Sequence, residues 1–477
     1  MGNNIEELRK ELKKGAGRSV DTISSQLRAT TDILFKAAEQ SSPLLDRDYW
    51  LKQGFTLKGW GGPIELMVGP RVINEQRFAQ AVENTVFIDG LLNLAAAFIF
   101  SDPIKRQEML ATLPPFERKI VEVYFGPDYN PQRTLGVLES QPYYGRLDQL
   151  ITTPEVPKSQ SQFDYEENNI NVGLAPIEMN RNGPEGIWFT HVAQDIYEKL
   201  YGIEPPITAL NFIIRLLRKT AKRSGNANPL IGLVAPTDSV VSIVELQYIA
   251  DALNSMGLGF RSLYGETDEL EVSGTDVFLR RERLSGIWRN WGVQIQGEPD
   301  KSLAIYRTGI AVLNPPYSFV GGLKALFAVI STDPEFRAKL PKETLNYIDK
   351  LIPTTRLLTK AEDFDQIPRG NYIYKPAFAS HGDGVTSDPE AAFSAVRDQG
   401  TPFVAQAKIP PEDPSIGTLI LDEGAQLTNL PMLADFNNYV GHIPGQTKVA
   451  QLVVTRFKAT HPINVAKGGG LGSGYPI

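Results

Sequence analysis

Apolar residues at Val20, Ile23, Leu27, Leu34 and Ala38 recur at helical spacing, which predicts helix over 4–42 until Pro43 ends the run. Residues 74–125 also read as helices, with a break at Leu113–Pro114–Pro115. The most apolar stretch, 86–100, contains Asp89 and Asn93 and is shorter than the ~20 residues that a membrane span needs. It predicts a helix buried in a protein core. A polar, proline-containing stretch at 152–163 reads as a boundary. Beyond it the period changes. An apolar strand at 230–234 leads into Ala235–Pro236–Thr237–Asp238–Ser239, a turn with good helix-capping residues. Ile243, Leu246, Ile249, Leu253 and Met256 then mark one helix face, and Gly257 stops it before a second strand at 258–264. Short strands are expected at 372–376, 403–409, 418–421 and 451–458. The pattern predicts a mixed α+β chain in three parts. These are a mostly helical region at 1–150 without evident chemistry, an α/β region at 151–318, and strand-rich lobes at 319–477.

Composition changes this picture by exclusion. The 477 residues exceed what one ordinary core holds. A net charge of −7 argues against broad binding to nucleic-acid phosphates. The cluster Arg215, Arg218, Lys219, Lys222 and Arg223 falls on a helix whose other face is apolar, so it reads as a solvated face. No cysteine is present, which removes disulfides, thiolate metal sites and thiol nucleophiles together. His191, His381, His442 and His461 lack metal-ligand spacing. The start MGNNIEEL has neither a signal peptide's apolar segment nor a myristoylation pattern, so a cytoplasmic setting is expected, with no membrane partner.

Four stretches can carry chemistry. In Ile177–Glu178–Met179–Asn180, strand alternation puts Glu178 and Asn180 on one face. With the upstream carboxylate Asp164 they form a hard-oxygen set suited to Mg²⁺. The strand ending in Lys375–Pro376 runs into a loop with Gly382 and Gly384, where backbone N–H groups and a lysine can meet phosphate. The glycine spacing fits neither the P-loop nor the dinucleotide fingerprint. The strand 403–409, with Gln406, can present backbone groups to an adenine. Arg456 and Lys458 share a strand face that leads into Asn464–Val–Ala–Lys–Gly–Gly–Gly470, a cationic face before a glycine-rich loop.

Together these stretches resemble the circularly permuted ATP-grasp enzymes, the group of glutathionylspermidine synthetase and eukaryotic glutathione synthetase, over roughly 160–470. Asn314–Pro–Pro followed by Gly322–Leu–Lys324–Ala–Leu is similar to the family's Asn-Pro turn and Lys-Ala-Leu helix. Thr355–Arg356 sits where relatives carry a Thr-Arg pair. The Glu-x-Asn pair precedes the nucleotide lysine, which is the permuted order. The resemblance implies an ADP-forming carboxylate–amine ligase that uses ATP and Mg²⁺ and passes through an acyl phosphate. It implies Lys324, Lys375, Gly382, Gly384, Gln406 and Asn464 on the nucleotide, Asp164, Glu178 and Asn180 on the metal, and Arg456 with Lys375 in catalysis. The substrates would be a small-molecule or peptide carboxylate and an amine, with homo-oligomerisation left open. Two departures stand out: Ala407 follows Gln406 where relatives have glutamate, and Asn437 replaces arginine in the segment Asp435–Phe–Asn–Asn–Tyr439. They leave room for a degenerate protein that binds nucleotide as a partner subunit. An interaction scaffold built on the helical first 150 residues is a further alternative.

Overall fold

The computed structural model describes residues 75–476 apart from 127–129, 152–173, 203, 238, 368–370, 380–382, 410–416, 422–426, 432 and 459–469. It also describes short strands at 58–59, 62–63, 66–67 and 71–73. The helix expected over 4–42 lies outside the described residues.

The helical stretch begins with α1 (Glu75–Ser101), α2 (Pro103–Ala111), α3 (Pro115–Phe125) and α4 (Pro131–Leu138). Its breaks follow local chemistry. Asp102 caps α2 by accepting from the N–H groups of Ile104 and Lys105, and proline opens α2, α3 and α4. The helix α1 is long and apolar enough to cross a bilayer, yet 67% of its apolar window is buried inside the protein. Ile88, Leu92, Ala95 and Phe100 are wholly enclosed, as the sequence predicts.

Strands β1 (Tyr143–Ile151) and β2 (Leu174–Asn180) follow. Then come α5 (Ile187–Tyr201) and α6 (Ala209–Arg223), whose apolar face is buried while Arg215, Arg218, Lys222 and Arg223 are exposed. The β-α-β unit consists of β3 (Leu230–Ala235), α7 (Val240–Ser255) and β4 (Arg261–Glu266). With β5 (Gly286–Arg289) and β6 (Ala311–Leu313) it forms a parallel sheet in the order β6-β5-β3-β4. All six residues of β3 are buried, as a central parallel strand requires.

After α8 (Lys324–Thr332), three antiparallel strands form a small sheet, β7 (Thr355–Leu358), β8 (Tyr372–Pro376) and β9 (Phe403–Ala407), with β9 in the middle. Its own core contains Leu358, Tyr374, Phe403 and Ala405 with Ala392 and Val396 of α9 (Pro389–Gln399). The chain ends in β10 (Asn437–His442), β11 (Val449–Lys458) and β12 (Gly470–Pro476). The glycine run expected as a loop therefore becomes a strand from Gly470 onward, beside β11. A Cβ at Gly474 would lie 2.4 Å from the Phe436 ring, so the strand packs there because the side chain is missing.

The largest sheet unites distant parts of the chain. Its order is 427–431, 417–421, 66–67, β12, β11, β10, β1, β2, with 71–73 and 433–434 paired off that path. The strand β1 is thus hydrogen-bonded to β10 on one side and β2 on the other.

Candidate functional site

The site grows from the β1–β2 pair. Its register sets Arg146 opposite Asn180 and Asp148 opposite Glu178, with an irregularity after Asp148 that displaces Ile177. Met179 is buried, while Glu178 and Asn180 are partly open, so the expected shared face of Glu178 and Asn180 is present. The strand β1 sets Arg146 and Asp148 beside this face, although both fall in the region that the sequence left without evident chemistry.

Asp148 is the centre of a buried charge network. It accepts from Arg146 Nε at 2.7 Å, from Arg456 Nη2 at 3.0 Å and from Asn180 Nδ2 at 3.1 Å. Burial alone would raise its pKa, but Arg146 and Arg456 hold it below the usual carboxylate range. Arg456, on β11, also donates through Nε to Asp435 at 2.7 Å. Burial and the nearby Asp148 charge push the Asp435 carboxyl upward. Asn437 donates to Asp435 at 2.6 Å and accepts the Gln149 N–H at 3.0 Å, so it ties β10 to β1.

The lysines arrive from the other side. Arg181, just past β2, is buried against Asp89 and Asn93 of α1, and its guanidinium fills the space where a Gly321 Cβ would sit. Burial disfavours the Asp89 carboxylate, but Arg181 and Lys448 hold its pKa below the ordinary value. A Gly322 Cβ would lie 2.7 Å from the Met179 carbonyl oxygen. The two glycines therefore let the turn lie flat on the end of β2, and α8 starts at Lys324 beside Glu178. The Lys324 ammonium is 3.2 Å from Glu178 Oε1 and also donates to the Ala379 carbonyl. Lys375 of β8 donates to Gln406 Oε1 at 2.8 Å and to the Ile177 carbonyl at 3.4 Å. Gln406 in turn donates to that carbonyl and to Thr355 Oγ1, each at 3.3 Å. Burial, helped by Lys324, pushes Lys375 down to about 8 against the pull of Glu178 and Asp148.

Among the described residues the charges close with one exception. Asp148 and Asp435 are met by Arg146 and Arg456, and Glu178 by Lys324. Among the described residues Lys375 touches only neutral oxygens, so there the face holds one cation more than it has carboxylates and favours an anion.

Of the expected site residues, Glu178, Asn180, Lys324, Lys375 and Gln406 meet at one place, and Arg456 joins them through Asp148. Gly384 (φ 70°) lies just beyond, in a loop that returns to β8, where Tyr374 and Thr386 exchange backbone hydrogen bonds at 2.8 and 2.9 Å. Asp164, Gly382 and Asn464 lie outside the described residues, as does the Lys458 side chain. Among the described residues no three His, Cys, Asp or Glu side chains cluster as a metal site. The available donors are the Glu178 and Asp148 carboxylates and the Asn180 amide oxygen, which faces away from Asp148 because the amide nitrogen bonds to it. An all-oxygen set of this kind fits Mg²⁺. The residues that sequence reasoning passed over, Arg146 and Asp148, had a signal: two charges at alternate positions in a strand with no other charge.

No family model matches this sequence, and no curated protein matches it. Solved structures do. The glutathione synthetase-like effector from Globodera pallida, in its apo form, superposes with a TM-score of 0.62 at 15% identity, covering 92% of this chain and 96% of that one. This chain shares that effector's fold. A protein from Methylobacillus flagellatus KT, provisionally assigned as a gamma-glutamylcysteine synthetase, reaches a TM-score of 0.37 at 12% identity over 80% of this chain and 87% of that one, a likeness too slight to bear on the fold.

Proposed function

We propose that the chain is an ADP-forming carboxylate–amine ligase of the circularly permuted ATP-grasp type. One observation carries this reading: Lys375, which meets no carboxylate among the described residues, is laid against Ile177 beside the Glu178–Asn180 face, though 198 residues separate Lys375 from Ile177. In this reading residues 319–477 supply the nucleotide lobes and 151–318 the metal strand and the β-α-β unit. Lys324 and Lys375 receive phosphate oxygens as point charges, and Gln406 fixes the Lys375 ammonium. Glu178, Asn180 and Asp148 would hold Mg²⁺, which neutralises charge developing on the phosphates, together with the expected Asp164, which lies outside the described residues. Arg456 is held by Asp435 and Asp148 through Nε and Nη2. No acceptor meets its Nη1 among the described residues, so that edge can face a transferring phosphoryl group.

A substrate carboxylate oxygen attacks the γ-phosphorus, and the bond to the β-phosphate oxygen breaks to give ADP and an acyl phosphate. An amine nitrogen then attacks the acyl carbon and loses a proton, and phosphate leaves. The chain's own part is positioning and charge stabilisation. The reaction belongs in the cytoplasm and calls for no nucleic acid or membrane.

The test is ADP release with ATP, Mg²⁺ and a panel of carboxylates, with hydroxylamine to trap acyl phosphate as hydroxamate. The native protein should form hydroxamate, and Lys375→Met should lower its formation at least about tenfold, ~1.4 kcal/mol in barrier. A second reading, nucleotide binding without ligation, is favoured by Asn437: it stands where relatives have arginine and is spent on Asp435 and Gln149. ATP binding with no ADP or hydroxamate from any acid would select it.

A further inference from the structure

The ion pair between Lys324 and Glu178 joins the two halves of the site. Its atoms are 3.2 Å apart, and the side chains are only 12% and 23% exposed. Lys324 approaches from the start of α8 and Glu178 from β2. Under the ligase reading, on which this inference rests, each of the two has a second appointment: Lys324 with phosphate and Glu178 with the metal ion. Neither can keep it without leaving the other. A divalent cation arriving alone must displace an ammonium from Glu178 and leaves that ammonium without its counter-charge. A nucleotide arriving alone must draw Lys324 away and leaves a half-buried carboxylate unpaired beside its own phosphates. Arriving together, each ligand neutralises the group that the other has released.

We infer that the Lys324–Glu178 pair couples metal and nucleotide binding, so that either ligand alone is held weakly and the two together are held tightly. Coupling of this kind is reciprocal, because one free energy links both events. The neighbouring charges do not duplicate it. Asp148 has two arginines, so the loss of one contact leaves it paired. Lys375 is bonded to Gln406 and the Ile177 carbonyl, and among the described residues no carboxylate bonds to it.

Two single substitutions should therefore strengthen binding. With Mn²⁺ as the metal probe, no nucleotide present, and free ion counted by electron paramagnetic resonance, Lys324→Met should bind the ion about tenfold tighter than the native protein, as an ion pair of this burial allows. With ATP in excess EDTA, measured by equilibrium dialysis, Glu178→Gln should bind nucleotide about tenfold tighter, for the mirror-image reason. Lys375→Met removes a like charge from the same face without breaking the pair, and should shift Mn²⁺ affinity by less than about threefold, a general field effect. Lys324→Arg keeps the charge and should stay within about threefold of native. Circular dichroism melts check that each variant is folded. Equal Mn²⁺ gains from Lys324→Met and Lys375→Met, or no gain from Lys324→Met, overturn the coupling. If the native protein does not bind ATP even with Mg²⁺, the ligase reading falls and takes this inference with it. A native protein that binds Mg·ATP with no gain in either variant rejects the coupling alone.

Discussion

Lys375 shows what one residue costs and supplies. A buried ammonium held only by an amide oxygen and a carbonyl is disfavoured in the folded chain, which is why its pKa falls to about 8. The unfolded chain returns it to ~10.4. The sign follows: the folded state prefers the neutral amine, so the penalty is full below pH 8 and fades as pH rises from about 8 toward 10. At pH 7 it is on the order of 1–3 kcal/mol. Lys375→Met should therefore raise the melting temperature at pH 7, and the gain should shrink at pH 9.5. The same side chain should make metal-free ATP binding weaken as pH climbs through about 8, since the neutral amine no longer attracts phosphate. A variant that melts lower than native at pH 7, with a flat pH profile for ATP, would show Lys375 to be an ordinary packing residue.

At the scale of elements, what the sequence made readable was local. The strands β3, β8, β9 and β11 and the helix break at Pro114–Pro115 follow from periodicity and proline, which act within a few residues. Pairings such as β1 with β10 join residues nearly three hundred positions apart, and no local pattern encodes such a register. Arg146 and Asp148 escaped notice because their charges acquire a role only once β1 lies beside β2. The metal carboxylate expected at Asp164 lies outside the described residues, whereas the cross-strand register that sets Asp148 opposite Glu178 is visible only in the fold. Glycines give a direct test of how the elements meet. Gly322→Ala would drive a methyl against the Met179 carbonyl, backbone against which no side chain can yield. It should destabilise by ~1–3 kcal/mol and weaken Mg·ATP binding by moving Lys324 out of reach of the phosphates. Gly90→Ala, inside α1 with nothing within 4 Å of the new methyl, should stabilise by roughly 0.5–1 kcal/mol. Urea unfolding of both, alongside ATP titration, checks the contrast. Equal and small effects would mean that the Gly321–Gly322 turn does not set the position of α8.

For the whole molecule, the decisive feature is that one sheet is built from strands lying between residues 66 and 180 and between 417 and 476. Strands β1 and β2 lie at one side of it, and β10, β11 and β12 come from the last forty residues. The helix α1 packs on β10 and β11 and also on α8, and its Asp89 is neutralised by Arg181 and Lys448, residues hundreds of positions apart. Removing residues 320–477 would take away β10 and β11, expose an unpaired edge along β1 and leave Asp89 short of one cation. Exposed edges of this kind invite aggregation, and unpaired buried charge is strongly destabilising. The fragment 1–319 should therefore be insoluble or unfold without a cooperative transition. The scaffold alternative, which places an independent function in the first 150 residues, requires instead that this fragment fold and keep its partner. Co-expression separates the cases further. If the sheet and the Asp89 cluster carry the stability, fragments 1–319 and 320–477 made together should associate into a soluble complex that binds Mg·ATP, because every strand pair can re-form even though the cut passes through the buried turn Pro316–Gly322. A fragment 1–319 that melts cooperatively on its own would show that the helical region holds its own core, and that the long-range pairing adds the site but not the fold.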